Sequence, residues 1–465
     1  MPTILNPWDG SVVGTVSETT EVDAVSAVER AASEASTLAA LPAHRRHGFL
    51  ARTGERIAGD SETWARLIVA ETGKPIRDAR VEVERAARLF SFSADAARNR
   101  CEGSFPLDGD PRTDDRIGWV RRRPIGVVAA ITPFNFPLNL LAHKVAPALA
   151  AGCPVVAKPS ERTPLTALRL RETLIAAGCP DAAFGVLTPA DPGPTVVRLS
   201  AHPAVRLVSY TGSDTHGQAI ARIAAGKRVV LELGGNAAVA ILPDADIDRA
   251  AARCAAGAFS FAGQVCISVQ RIAVHASVHE RFMARFLARV AELGIGDPSL
   301  ESTDLGPMIH PQAVSRVDAW VREAREDGAQ VLIGGRPLSD RLFPPTVLTR
   351  TSPGMKICSE EVFGPVAVVE SFETVAEILD WMDASRFGLQ AGVFTRDIGT
   401  VLAFADRLAV GGLIVDDVPT FRSDLLPYGG ERDSGFGRES VSATIEACTT
   451  EQVVVIRRPD QSTWA

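Results

Sequence analysis

Cys266, Glu232 and Asn135 each stand in a turn shaped by glycine or proline. Cys266 lies in Phe261-Ala262-Gly263-Gln264-Val265-Cys266-Ile267. Glu232 stands 34 residues earlier, in Leu231-Glu232-Leu233-Gly234-Gly235-Asn236, after the strand-like Val229-Val230. Asn135 sits in Pro133-Phe134-Asn135-Phe136-Pro137. A thiol, a carboxylate and a carboxamide make a covalent-catalysis set: the thiolate attacks, the carboxylate moves protons, and an amide N–H steadies an oxyanion. Each residue also has a plainer reading. A free cysteine usually packs as a small hydrophobe, a glutamate at a strand end caps or is solvated, and an asparagine between prolines forms a turn. The Gly263-Gln264 turn favours the reactive reading of Cys266, because glycine lets the backbone present a side chain.

Two further runs have the residue types that hold a dinucleotide. In Lys158-Pro159-Ser160-Glu161, which follows a strand, Lys158 and Glu161 can both grip a ribose or simply form a solvated ion pair. Thr211-Gly212-Ser213-Asp214 follows the next strand but one and opens a helix. Its N-terminal amides can face a pyrophosphate, or Ser213 can serve as an ordinary cap.

These residues need elements to position them. After a strand–turn start around Asn6-Pro7-Trp8-Asp9-Gly10, helical periodicity runs through 21–40, 43–59, 61–71 and 75–100. From about residue 125, short apolar strands alternate with helices. Strands are expected at 126–131, 154–157, 184–187, 205–210 and 229–231, and helices at 138–151, 194–199 and 214–224. A further helix is expected to start at Pro164, capped by Thr163 and closed by Gly178. This alternation implies a buried, mainly parallel sheet with helices on both faces. Such sheets bind ligands at the carboxyl ends of their strands, where Asn135, Lys158, Gly212 and Glu232 all fall. A second set follows Cys266, with strands at 271–275, 331–333 and 390–394 and helices at 278–293, 312–327 and 373–384. The strand-like 452–457 is expected to pair with 117–122 as an arm outside both domains.

The bulk composition narrows the function. With 465 residues, 46% of them apolar, the chain can bury more than one core. A dispersed net charge of −7 gives no reason to expect nucleic-acid binding. The one dense basic run, Arg121-Arg122-Arg123, reads as a solvated strand edge or a subunit contact. Seven cysteines, at 101, 153, 179, 254, 266, 358 and 448, include no CxxC pair and no neighbouring His cluster. Neither a metal site nor a disulfide framework is expected, and a cytoplasmic location fits. No signal peptide is read at Met1-Pro2-Thr3, and no apolar stretch is long enough to span a membrane.

In this order and context the motifs resemble the NAD(P)-dependent aldehyde dehydrogenase superfamily. The resemblance spans nearly the whole chain, including Glu71-Thr72-Gly73-Lys74-Pro75 and Ser434-Gly435-Phe436-Gly437-Arg438-Glu439. It implies Cys266 as nucleophile, Glu232 as general base and Asn135 as oxyanion donor beside the Cys266 backbone N–H. It implies cofactor contacts from Phe134, Lys158, Ser160, Glu161, Gly212, Ser213 and Leu233. In Glu360-Glu361-Val362-Phe363-Gly364-Pro365 it implies that Glu361 and Phe363 hold the nicotinamide ribose. NAD is expected ahead of NADP, because the Glu161 charge would repel a 2′-phosphate.

The implied fold is α/β: two doubly wound domains plus a small β oligomerisation arm. The NAD-binding domain takes residues 1–110 and 125–234, the catalytic domain 235–430, and the arm 111–124 and 431–465. A homodimer or homotetramer is implied. The segment from Asp417 to Gly430 resembles branches acting on small oxygenated or anionic aldehydes, with Arg422 and Phe136 as candidate substrate contacts and Arg422 expected in an exposed loop. Succinate semialdehyde and phosphonate aldehydes are the specific alternatives. A CoA-acylating enzyme and a non-catalytic descendant are the rival classes. Four positions depart from the family pattern: Asp383 for Asn, Phe387 for Tyr, Asp416 for Asn and Val197 for Gly.

Overall fold

Strands in which every residue is apolar must bury both faces, and two sheets in this chain contain such strands. The computed structural model describes residues 2–99 and 103–458. Met1, Cys101 and residues 459–465 of the expected arm lie outside the described residues. In the first sheet, Val127–Ile131 is flanked by Val155–Lys158 and Val205–Thr211; Phe184–Val186 and Arg228–Glu232 lie beyond them, all parallel. Val128 and Ala130 point into a core shared with the helices Ala43–Gly59, Ser61–Thr72, Ile76–Arg98 and Asn139–Ala151. Val127, Ala129 and Ile131 point to the opposite core, under Glu21–Ala40. The period of two thus accounts for helices on both faces.

The second sheet has seven strands, in the order Gln330–Ile333, Thr346–Thr349, Val366–Phe372, Val269–His275, Ala237–Ile241, Gln390–Phe394 and Gly412–Val415. Only the Gln330–Ile333 edge is antiparallel. Val239 and Ile241 face one core, and Ala238 and Ala240 the other. One of its inner strands, Ala237–Ile241, begins five residues after Glu232 ends the first sheet's strand. The carboxyl edge of the first sheet therefore meets the amino edge of the second, and the site lies where they meet.

The pairing of the C-terminal strand with the 117–122 region is present. Thr449–Arg457 runs antiparallel to Arg116–Pro124, with Val453 opposite Val120, and Gly103–Phe105 adds a third strand. Arg122 reaches Glu451 at 3.2 Å across this ladder, so the basic run is partly cross-paired rather than only solvated. Gly435–Phe436, by contrast, pairs antiparallel with Glu232 and Leu231 on the edge of the first sheet. Gly435 is in the left-handed region, and a Cβ there would fall 1.9 Å from the Leu231 carbonyl oxygen, so this close approach requires glycine.

One cap differs from expectation. Pro164–Ala176 does begin at Pro164, but the Thr163 side chain makes no capping bond. The Glu71 carboxylate takes its place, accepting from the Leu165 N–H at 2.7 Å and the Thr166 N–H at 3.0 Å. A buried carboxylate satisfies two orphan amides at once and complements the helix dipole. Among the described residues, no helix is long and apolar enough to cross a membrane.

Candidate active site

Cys266 is presented by a strained turn. The helix Ile247–Phe259 ends, and Phe261, Ala262 and Gly263 take φ of 48°, 53° and 68° in succession. A Cβ on Gly263 would lie 2.2 Å from the Gly364 carbonyl oxygen, so only glycine passes there. The chain then turns through Cys266 into Val269–His275. Gly235 meets the other side of this turn, where a Cβ would lie 2.2 Å from the Cys266 carbonyl oxygen. The Glu232 loop and the thiol loop are thereby in backbone contact.

Asn135 bridges the two sheets. Its amide Nδ2 donates to the Gln264 carbonyl at 3.0 Å, two residues before the thiol. Gln264 is in turn locked, with its Oε1 accepting from the Ile309 N–H at 2.9 Å. Below Asn135, Lys74 pairs with Glu82, both side chains fully buried. Glu82 accepts from the Leu138 and Asn139 amides at 3.0 and 3.1 Å, capping the start of Asn139–Ala151. The Lys74 ammonium also sits 3.7 Å from the centre of the Phe136 ring.

Cys266, Glu232, Asn135, Phe134, Phe136, Gly212, Ser213, Leu233, Glu361, Phe363 and Arg422 all line one cavity of about 750 Å³. Phe134 stands edge-on to both Phe363 and Phe261 there. Ser213 caps the helix Asp214–Ile223, whose amino end opens on the cavity. Lys158, Ser160 and Glu161 are not on that wall. Ser160 and Glu161 line a separate cavity of about 250 Å³, and Lys158 reaches Glu161 at 4.0 Å. They remain on the carboxyl edge of the same sheet, Lys158 being opposite Ile131.

Burial sets the proton affinities. It pushes the Cys266 thiol up to about 11; the Tyr428 hydroxyl and Arg422 pull it down, while Glu361 and Glu232 push it up. Burial, and then the charge of Glu439, hold the Glu232 carboxyl well above the ordinary carboxylate range, and neither of its oxygens has a hydrogen-bond partner among the described residues. Glu439 goes the other way, to about 2: burial opposes its charge, but Lys144, His143 and Arg422 outweigh burial. Lys144 Nζ lies 2.9 Å from Glu439 Oε1. Burial raises Glu361 to about 7, although it accepts from the Gly235 N–H at 3.1 Å.

Arg422 is not in an exposed loop. Its side chain is 9% exposed, pairs with Glu439 at 3.4 Å and stacks 3.9 Å over the Tyr428 ring. A Pro-containing loop looks solvated in sequence, but this one folds back across the cavity, held by Asp424 bridging to Arg85 at 2.6 Å and to His143 at 2.9 Å. The Arg422 Nε is buried without a hydrogen-bond partner among the described residues.

Three residues missed in the sequence also face the cavity. Tyr428 places its hydroxyl 3.3 Å from Cys266 Sγ. Arg386 ties Asp214, Glu360 and Asp433 together at 2.6, 2.6 and 3.0 Å. Arg316, on the helix Pro311–Glu326, is near Glu361 and makes no ion pair among the described residues. Their partners are distant in sequence, so no local pattern marks them. The departures from the family pattern are accommodated. Asp383 pairs with Arg432 at 2.6 Å, Phe387 packs under Arg386, and Asp416 takes φ 54° as Asn or Asp can. Val197 is half exposed on the helix Pro192–Ala201.

A thiol, a buried carboxyl and a helix amino end, gathered where two doubly wound sheets meet, define a nucleotide-dependent enzyme with a thiol at its centre. The chain belongs to the aldehyde dehydrogenase family, whose model matches residues 2–454; it is an NAD(P)-dependent oxidoreductase acting on aldehydes. It is 39% identical over 454 residues to aspartate-semialdehyde dehydrogenase 1 of Pseudomonas canavaninivorans, covering 97% of this chain and 96% of the relative. It is 38% identical to 3-sulfolactaldehyde dehydrogenase of Priestia aryabhattai, covering 97% and 94%. Its structure is similar to that of glyceraldehyde-3-phosphate dehydrogenase GapN of Methanocaldococcus jannaschii complexed with NADP, with a TM-score of 0.94, 34% identity and 98% of each chain covered.

Proposed function

We propose that this chain oxidises a small oxygenated or anionic aldehyde to its carboxylate with NAD+, through a thiohemiacetal and then a thioester on Cys266. The observation that carries this reading is the convergence of Cys266, Glu232 and Asn135 on one cavity that also holds the amino end of Asp214–Ile223. The cavity fits a dinucleotide. Thr211 Oγ1 is buried there without a hydrogen-bond partner among the described residues, beside the amino end of that helix. Gly212, Ser213, Leu233, Glu361, Phe134 and Phe363 would hold the cofactor within the cavity, with Lys158, Ser160 and Glu161 beyond its wall. NAD+, when bound, supplies the hydride acceptor.

In this reading the Cys266 thiolate, its proton already passed to solvent, bonds the aldehyde carbon through Sγ, and the carbonyl π pair moves onto oxygen. The Cys266 N–H and Asn135 Nδ2 steady that oxygen; Nδ2 has a second N–H beyond the one given to Gln264. After hydride loss, Glu232 takes a proton from the water that attacks the thioester carbon. The C–S bond breaks, and the thiol is restored. One water is consumed per carboxylate formed.

The substrate class rests on Arg422, whose unpartnered Nε and guanidinium lie in the cavity wall where a carboxylate, sulfonate or phosphate can be met. The relatives named for aspartate semialdehyde and 3-sulfolactaldehyde point the same way. A panel of aldehydes ranked by kcat/KM tests it. Succinate semialdehyde, lactaldehyde or a sulfonated aldehyde should lead, and a preference for benzaldehyde or octanal would refute the class. Running the panel with and without CoA separates hydrolysis from acyl transfer.

The division of labour is part of the same proposal, with 1–110 and 125–234 binding the cofactor, 235–430 carrying the thiol, and 111–124 and 431–465 joining subunits. Val453, Val455 and Ile456 are exposed on the outer strand of the three-stranded sheet, which supports a homodimer or homotetramer. Light scattering on the purified chain should give a mass two or four times that of the monomer.

A further inference from the structure

Tyr428 is within hydrogen-bond reach of the reacting sulfur, and the proposed chemistry leaves it unused. Its hydroxyl lies 3.3 Å from Cys266 Sγ and makes no other hydrogen bond among the described residues. The ring is fixed from several sides. Its backbone N–H donates to the Glu439 carbonyl at 2.9 Å and its carbonyl accepts from the Glu439 N–H at 2.6 Å. Ile267 and Leu389 pack around the ring, and the Arg422 guanidinium stacks on it. Gly429, which follows, has no room for a Cβ, which would come 2.6 Å from the Gly437 carbonyl oxygen. The hydroxyl therefore cannot swing away from the sulfur without moving a built wall.

We propose that Tyr428 is a positioning residue for the nucleophile, whose phenolic O–H donates to the Cys266 thiolate and favours that form over the thiol. This rests on Cys266 being the nucleophile. A hydroxyl aimed at a sulfur gains most when the sulfur is charged, because a charge-assisted bond is roughly twice as strong as a neutral one. The Arg422 cation over the ring draws electron density from it and makes the phenol a better donor. The ionisation moves one proton: the Cys266 S–H bond breaks and its proton leaves to solvent, while Tyr428 keeps its own. When the sulfur then bonds the aldehyde carbon, its charge passes to the carbonyl oxygen and the hydrogen bond relaxes.

The charged groups facing this pair are Arg422, which favours the thiolate, and Glu361 and Glu232, which oppose it. Burial holds the Tyr428 phenol well above its ordinary value, so it stays a donor across the working range. Among the described residues, no Lys or His makes a hydrogen bond or ion pair with Cys266.

The test is the pH dependence of Cys266 alkylation by iodoacetamide, read by peptide mass spectrometry. Tyr428→Phe keeps the ring and the Arg422 stack and removes only the oxygen. The midpoint should rise by about one to two pH units. The alkylation rate at neutral pH should fall about 3- to 12-fold, because the less stabilised thiolate is also the stronger nucleophile. An unchanged or lowered midpoint overturns the proposal.

A second measurement avoids a side-chain deletion. The chain has two tyrosines, Tyr210 and Tyr428. In a Tyr210→Phe background, biosynthetic 3-fluorotyrosine makes the Tyr428 phenol a stronger donor, and the midpoint should fall below that of the unfluorinated parent. A midpoint that does not fall counts against the proposal even if Tyr428→Phe fails to fold. The underlying reading fails separately: it is lost if NADH formation survives complete alkylation of Cys266, whichever way the midpoints move.

Discussion

Replacing Lys74 by Met should break a charge pair sealed beneath the thiol loop, and the structure sets the size of the effect. Both side chains of the Lys74–Glu82 pair are fully inaccessible to solvent. Removing one partner of such a pair costs about 3–5 kcal/mol, because the other charge is left buried. Here two backbone amides, from Leu138 and Asn139, stay on Glu82 and partly hold its charge. That places Lys74→Met at the lower end, roughly 3 kcal/mol. The lost contact with the Phe136 ring adds up to about 2 kcal/mol. The double change Lys74→Met with Glu82→Gln strands no charge and keeps an oxygen for the two amides. It should therefore cost less than the sum of the single changes by about 2 kcal/mol. Urea unfolding followed by tryptophan fluorescence measures all three variants. A Lys74→Met variant within about 1 kcal/mol of the parent, or strictly additive costs, would refute the reasoning.

Gly263→Ala should lower kcat by about 10² or more while leaving NAD+ affinity near the parent's, since the turn that aims the thiol must shift; unchanged turnover, measured as NADH absorbance, would show that the turn tolerates a Cβ. Glu361 is held at about 7 by burial, above the unfolded value, so between the two it is protonated in the native state and ionised in the unfolded one. NAD+ affinity should strengthen as pH rises through about 7 and its carboxylate becomes able to accept ribose hydroxyls, and Glu361→Gln should flatten that dependence in titration calorimetry. NAD+ should be used ahead of NADP+, with Glu161→Ser narrowing the difference; equal kcat/KM for the two cofactors in the parent would show that Glu161 does not face the ribose.

Much of this architecture was legible from period alone. The wholly apolar 126–131 run, alternating between two cores, and the capped helices around it fell where expected. So did the distant partnership of Thr449–Arg457 with Arg116–Pro124, where the β-branched run Val453 to Ile456 faces Ile117 to Val120. The inner strand of the second sheet next to Val269–His275 carries no such signal. Ala237–Ile241 is short, rich in alanine and placed directly after a glycine turn, so it has little β signal of its own. The catalytic candidates stood out because glycine and proline mark their turns. Tyr428, Arg386 and Arg316 did not, because their meaning lies in partners from 26 to 172 residues away, as with Arg386 and Glu360 or Asp214, beyond the reach of any local pattern. Arg422 was misjudged for the same reason: its burial depends on Glu439, Tyr428 and the Asp424 bridge, none of which a loop composition shows.

The central claim is that an acyl group passes through Cys266 and that Glu232 releases it. A rapid-quench single turnover of Glu232→Gln with NAD+ and succinate semialdehyde tests it most directly. NADH should appear in a burst about equal to the active sites, followed by a slow phase. Mass spectrometry of the quenched protein should find the succinyl group on Cys266 and on no other cysteine. Steady-state turnover equal to the parent's, or a burst with no adduct on Cys266, would contradict the account.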